Sequence, residues 1–172
     1  VNLARELIRT IPNLDVNAKD KDRYYMQTPL HMASRGNTDR HTEIVKALLQ
    51  APNIDVNIQN ADGTPLHTAS INGHTGIVKA LLAAPNIDVN IRKNDYDGST
   101  PLHMASMNRH TEIVKALLAA PNIDVNIQNA DGTPLHVASG YGHTEIVKAL
   151  LAAPNIDVNN PGNITEETPL HI

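Results

Sequence analysis

Nine histidines recur along a chain of 172 residues at intervals that invite a metal or general-base role. His31, His67, His103, His136 and His171 each close a Thr-Pro-Leu-His tetrapeptide, while His41, His74, His110 and His143 each open a second recurring block. A zinc site of ordinary type would add Cys or place two His one helical turn apart, as in His-Glu-x-x-His, and the chain has neither. Imidazoles that appear once per unit are instead expected to be scaffold groups, hydrogen bonded to backbone between units. Ser, His and Asp also occur in every unit, as in Ser70, His67 and Asp62, so a nucleophilic triad can be drawn. An active site is singular, whereas this constellation is copied throughout, so no catalytic residue, cofactor or metal ligand is assigned. Gly140-Tyr141-Gly142 lacks the third Gly of a dinucleotide loop, and Asn163-Ile164-Thr165 is a glycosylation sequon of a kind that chance supplies in a chain rich in Asn and Thr.

What must position these groups is a repeat. Thr-Pro-Leu-His begins at Thr28, Thr64, Thr100, Thr133 and Thr168, with spacings of 36, 36, 33 and 35 residues. Ala51–His67 recurs letter for letter as Ala120–His136, and His-Thr-Glu-Ile-Val-Lys-Ala-Leu-Leu begins at His41, His110 and His143, returning at His74 with Gly76 in place of Glu. Within a unit, Thr64 can cap a helix and Pro65 suits its first position, where the missing N–H costs nothing. Leu66, Ala69 and Ser70 share one face of that helix, and Gly73 supplies a left-handed stop. A second, antiparallel helix follows, with Ile77, Val78, Leu81 and Leu82 as its apolar stripe, and ends before Pro85. The Asp-Gly pairs at Asp62-Gly63, Asp97-Gly98 and Asp131-Gly132 are turn signals in the loops between units. Helices this short do not persist alone, so each pair must be held by its neighbours.

These motifs resemble the ankyrin repeat, whose pattern is Thr-Pro-Leu-His, then Ala-like positions, Gly-His, Ile-Val, Leu-Leu and Asp-Val-Asn. The resemblance covers essentially the whole chain. It implies an all-α fold, an ankyrin-repeat solenoid of antiparallel helix pairs with β-hairpin fingers. Pro-Asn-Ile-Asp stands where the family usually has Gly-Ala-Asp, and Arg109 takes a helix-ending place that favours Gly. The family's Asn after Asp-Val can be a hydroxylation substrate, which would carry over to Asn57, Asn90, Asn126 and Asn159, but a turn-stabilising amide is the favoured role. The register predicts one ankyrin-repeat domain over 1–172, with a partial repeat at 1–17, full repeats at 18–57, 58–90, 91–126 and 127–159, and a partial repeat at 160–172. Residues 1–17 read as a second helix with Leu3, Ala4, Leu7 and Ile8 as its stripe. Both ends fall inside a repeat, which predicts a longer parent protein or disordered ends.

Where the units agree, stacking explains the residue; where they differ, stacking does not require it. The differing places after each tetrapeptide are Met32, Thr68, Met104 and Val137, then Arg35, Ile71, Met107 and Gly140, then Asn72, Asn108 and Tyr141. Two fingers are elongated: Asn17 to Thr28 is eleven steps and Asn90 to Thr100 is ten, against seven from Asn57 to Thr64. All four Tyr and all four Met lie on fingers or on differing first-helix places. Tyr brings contact area at small entropic cost, and Met adapts to irregular surfaces. Taken with the family's concave binding surface, this makes Tyr24, Tyr25, Met26, Met32, Arg35, Ile71, Tyr96, Met104, Met107 and Tyr141 the expected partner-binding residues.

Composition bounds the partner. With 14 Lys and Arg against 18 Asp and Glu, the net charge is -4 and no basic block tracks a phosphate backbone, so nucleic acid is not an expected partner. No apolar run approaches a membrane span, and Arg5, Glu6 and Arg9 interrupt any signal peptide, so a membrane is not expected either. The expected function is a non-enzymatic protein-protein interaction module in the cytoplasm, monomeric, with end-to-end stacking through uncapped repeats as a further possibility. The alternatives are a regulatory or targeting domain of a larger enzyme, a secreted bacterial effector that borrows the repeat, and a structural array with no evolved partner.

Overall fold

The structure is a computed structural model that describes residues 6, 15–21 and 26–161. The expectations for Leu3, Ala4, Leu7, Ile8, Tyr24, Tyr25, Asn163, Thr168 and His171 therefore lie outside the described residues. By internal packing the chain divides into two compact units, Val1–Asp88 and Val89–Ile172.

The first unit holds α1 (Pro29–Ser34), α2 (Asp39–Leu48), α3 (Pro65–Ile71) and α4 (Thr75–Leu82). Each first helix starts where the tetrapeptide predicts. The Thr28 and Thr64 hydroxyls accept from the backbone N–H three residues on, and Pro occupies the next place. The return into α4 runs through Gly73 at φ 76°, the left-handed value for which Gly carries no Cβ penalty. α1 packs on α2 and α3, α3 packs on α4, and α2 packs on α4, so first helices line one layer and second helices the other. Leu30, Leu66, Val45, Ile77, Val78 and Leu81 are fully buried between them. Each large aliphatic side chain so enclosed contributes about 1.5–3 kcal/mol, which is what short helices lack in isolation.

The second unit repeats the plan with α5 (Pro101–Met107), α6 (Thr111–Leu118), α7 (Pro134–Gly140) and α8 (Thr144–Leu151). α5 packs on α6 and α7, while α8 packs on α6 and α7. Leu102, Ile113, Val114, Leu117, Leu135, Ile146 and Leu150 form its core. Arg109 ends α5 at φ 59°, beside the Gly142 equivalent at 69°, so a cationic residue holds the left-handed place that the repeat gives to Gly.

The fingers are simpler than the expected β-hairpins. Among the described residues they contain turns closed by isolated bridges, Asn60 with Gly63 and Asn129 with Gly132. The physical reason is local: the Asn60 and Asn129 carboxamides accept from the N–H groups of Asp62 and Asp131, at 2.8 Å in each case, and such an Asx turn closes the chain within four residues.

Candidate functional site

Four of the described histidines bond backbone carbonyls of a neighbouring repeat. Nε2 of His31 is 3.0 Å from the Gly63 carbonyl oxygen and Nε2 of His103 is 3.0 Å from that of Gly132. Nδ1 of each ring accepts the backbone N–H of Thr28 or Thr100. That arrangement requires a neutral ring with its proton on Nε2. Burial above all lowers the His31 pKa, and it holds His103 down at about 4. At the second-helix entries, His74 Nε2–H donates to the Arg35 carbonyl and His143 Nε2–H to that of Met107, both at 3.1 Å. Among the described residues no three His, Asp or Glu come together in a way that could hold a metal ion.

A second set of structural residues has a role other than the turn-stabilising amide expected of it. The Asn of Asp-Val-Asn bonds the next repeat rather than its own turn. Asn17 Nδ2–H donates to the Asn53 carbonyl at 2.7 Å and its Oδ1 accepts from Asp55 N–H at 2.9 Å. Asn57 does the same to Asn86 and Asp88 in the first unit, and Asn90 and Asn126 continue it in the second, to Asn122 and Asp124 and to Asn155 and Asp157. The Asp two residues earlier closes the turn, as when Asp55 accepts from Asn57 N–H at 2.9 Å.

With these groups accounted for, the expected partner-binding residues fall into three kinds. In the first unit Met26, Met32 and Ile71 are exposed, Met32 at 59%. Arg35 lies beside them in sequence register, its guanidinium 3.8 Å from the Asp62 carboxylate on the finger. Met26 stands at φ 45°, closing a finger whose base is fixed by Asp20 N–H donating to the Gln27 carbonyl at 2.8 Å. In the second unit Tyr96 is 99% exposed at a finger tip and Tyr141 is 58% exposed at the end of α7. Met107 is half-buried at the end of α5.

Met104 departs from expectation: it is only 6% exposed. Every residue from Pro101 to Ser106 is buried, so α5 opens to solvent only at its C-terminal end, and a residue that differs between repeats there is a core side chain. Thr68 and Val137, at the same place in α3 and α7, are buried too. Asn72 and Asn108 are also committed, since their carboxamides donate to the Thr68 and Met104 carbonyls and finish their helices. Tyr141 takes the same place without that duty, and its ring stacks on His143 with centroids 5.9 Å apart.

Tyr96 is held from below. Lys93 N–H donates to the Ser99 carbonyl at 2.9 Å, Gly98 N–H to the Asp95 carboxylate at 3.0 Å, and Lys93 pairs with Asp95 at 2.7 Å. Arg92 lies across Gly98, with Nε–H donating to its carbonyl at 3.2 Å; a Cβ on Gly98 would sit 2.7 Å from the guanidinium, so the clamp needs Gly as well as its φ of 63°. Asp97 ties this finger to the following one through Ala130 N–H at 3.0 Å and Asn129 at 3.1 Å. A ring presented on a fixed loop loses little entropy on binding.

The buried repeat positions, Thr-capped helices and bonded asparagines define a repeat scaffold that presents variable residues at its edges. The family model of ankyrin repeats, in three copies, matches residues 1–93, 30–129 and 90–162, and the chain belongs to the ankyrin-repeat family. Ankyrin repeats are in general protein-protein interaction modules, and the family is typically non-enzymatic. A search of curated proteins finds no match for the chain. No helix among the described residues is long and apolar enough to cross a membrane.

Proposed function

We propose that this chain binds a partner protein, without catalysis, through its fingers and the ends of its first helices. One observation carries the proposal. Of the six large apolar or aromatic side chains exposed among the described residues, Met26, Met32, Ile71, Tyr96 and Tyr141 stand on fingers or at first-helix places that differ between repeats, and only Leu151 stands elsewhere. Stacking does not require these residues, and Tyr and Met are side chains that supply contact area and adapt to irregular surfaces at interfaces. In the first unit the contact set is Met26, Met32, Arg35 and Ile71; in the second it is Tyr96 and Tyr141, with Met107 at the margin. Tyr24 and Tyr25 belong to the same elongated finger as Met26 by sequence.

The test begins with affinity capture from the native source and mass spectrometry, with a finger variant as the negative control. Tyr96→Ala and Tyr141→Ala should each weaken binding of the captured partner by roughly 1–3 kcal/mol while leaving the melting temperature unchanged. Full-strength binding by both variants would move the search to other faces.

A further inference from the structure

The second helices of the first unit carry a groove that the proposed contact set does not use. It lies between α2 and α4 and encloses about 530 Å³, with Gly76, Ala80, Ala83 and Ala84 among the residues that line it, and Lys46 of α2 and Lys79 of α4 beside them. No carboxylate lines it among the described residues.

One repeat departs from the others at this groove. In α2, α6 and α8 a glutamate stands three residues before the helix lysine and pairs with it: Glu43 with Lys46, Glu112 with Lys115 and Glu145 with Lys148, each at 2.9 Å. In α4 that place is Gly76, so Lys79 has no such acid one turn before it. Neither backbone nor packing demands this Gly. Its φ is outside the left-handed region, and a Cβ there would meet the Thr42 hydroxyl at 3.3 Å, tight but open to a small adjustment. Gly is among the poorest helix formers, so the helix is weakened at this point without a local return. What the substitution provides is room over the alanines and an ammonium group left unneutralised by its own helix.

We propose that this groove is a second docking site, and that it takes a short acidic amphipathic helix of a partner protein. The small residues let a helix approach closely and set its apolar side chains over Ala80, Ala83 and Ala84. Lys79, with no acid in its own helix, faces its carboxylates, while Lys46 across the groove is paired with Glu43 at 2.9 Å. The Lys79 charge, which no acid of its own helix offsets, stands out on a chain whose net charge is -4, so electrostatic complementarity selects an acidic ligand over a basic one. Nucleic acid fits less well, because Lys79 and the Glu43-paired Lys46 over an alanine floor offer neither a cationic track nor a stacking ring.

Selection of short peptides from a displayed random library on the full chain, followed by binding of the synthetic winners, tests this. The winners should be rich in Asp and Glu spaced among apolar residues. Their affinity should fall roughly tenfold or more with Gly76→Glu and with Lys79→Glu, and change less than about twofold with Tyr96→Ala. Gly76→Glu restores the residue that three other repeats carry at this place, so its melting temperature should hold or rise, which separates lost binding from lost fold. The Tyr96→Ala arm separates this site from the finger surface. Selection of neutral or basic peptides, or acidic winners indifferent to Gly76→Glu, would overturn the proposal.

Discussion

His103 joins two successive tetrapeptide regions in one ring: its Nε2–H donates to the Gly132 carbonyl at 3.0 Å while its Nδ1 accepts the Thr100 N–H at 3.2 Å. The second bond requires the neutral ring, since protonation would turn Nδ1–H against the Thr100 N–H. Burial lowers the folded pKa from 6.5 to about 4. Above pH 6.5 neither the folded nor the unfolded chain protonates this group. Between 6.5 and 4 the unfolded chain takes up a proton that the folded chain refuses, so stability falls as the pH falls.

Urea melts across that window should show a loss approaching about 3 kcal/mol from this residue, complete below pH 4. His31, lowered in the same direction by burial, adds to the trend. His103→Gln keeps an amide N–H for Gly132 and has nothing to titrate, so its stability should change less with pH than the parent's. Equal pH dependence in the two proteins would remove His103 as the cause.

Asn57 is the plainest test of the asparagine ladder. Its Nδ2–H donates to the Asn86 carbonyl at 2.7 Å and its Oδ1 accepts the Asp88 N–H at 3.0 Å. The site is exposed, so water replaces part of what Asn57→Ala removes. The expected cost is roughly 1–2 kcal/mol, seen as a lower urea midpoint with an unchanged slope. A midpoint equal to the parent's would mean that these bonds form without stabilising the stack.

The contrast between Asn57 and Thr64 shows what a sequence of this kind makes legible. Thr64 caps the helix that starts beside it, and Pro65, Leu66 and the apolar stripe are equally local, so the elements could be placed from periodicity and capping chemistry. The Asn57 amide finds its partners about thirty residues further on, at Asn86 and Asp88, and no local pattern announces that. Met104 shows the opposite error. Variation between repeats does not imply exposure: Thr68, Met104 and Val137 vary while all are buried, because a core place tolerates side chains of similar bulk. Tyr96 and Tyr141 were legible from composition, whereas the Arg92 clamp over Gly98 and the His143 ring under Tyr141 depend on packing.

Arg109 and Gly142 give the last prediction, in which two substitutions run in opposite directions. Both residues end a first helix in the left-handed region, at φ 59° and 69°. A residue with a Cβ bears a penalty there of roughly 1–2 kcal/mol, while Gly costs more entropy on folding by a smaller amount. Arg109→Gly should therefore stabilise the protein by roughly 0.5–1 kcal/mol, the difference of those two effects. Gly142→Ala isolates the same backbone term, because a Cβ at Gly142 meets nothing within 4 Å. It should cost roughly 1 kcal/mol with no clash to relieve. Denaturant melts of the two variants beside the parent decide the matter: if Arg109→Gly destabilises the chain, the Arg109 side chain contributes more in the folded state than its backbone strain costs, and the family's preference for Gly at this place does not apply to this repeat.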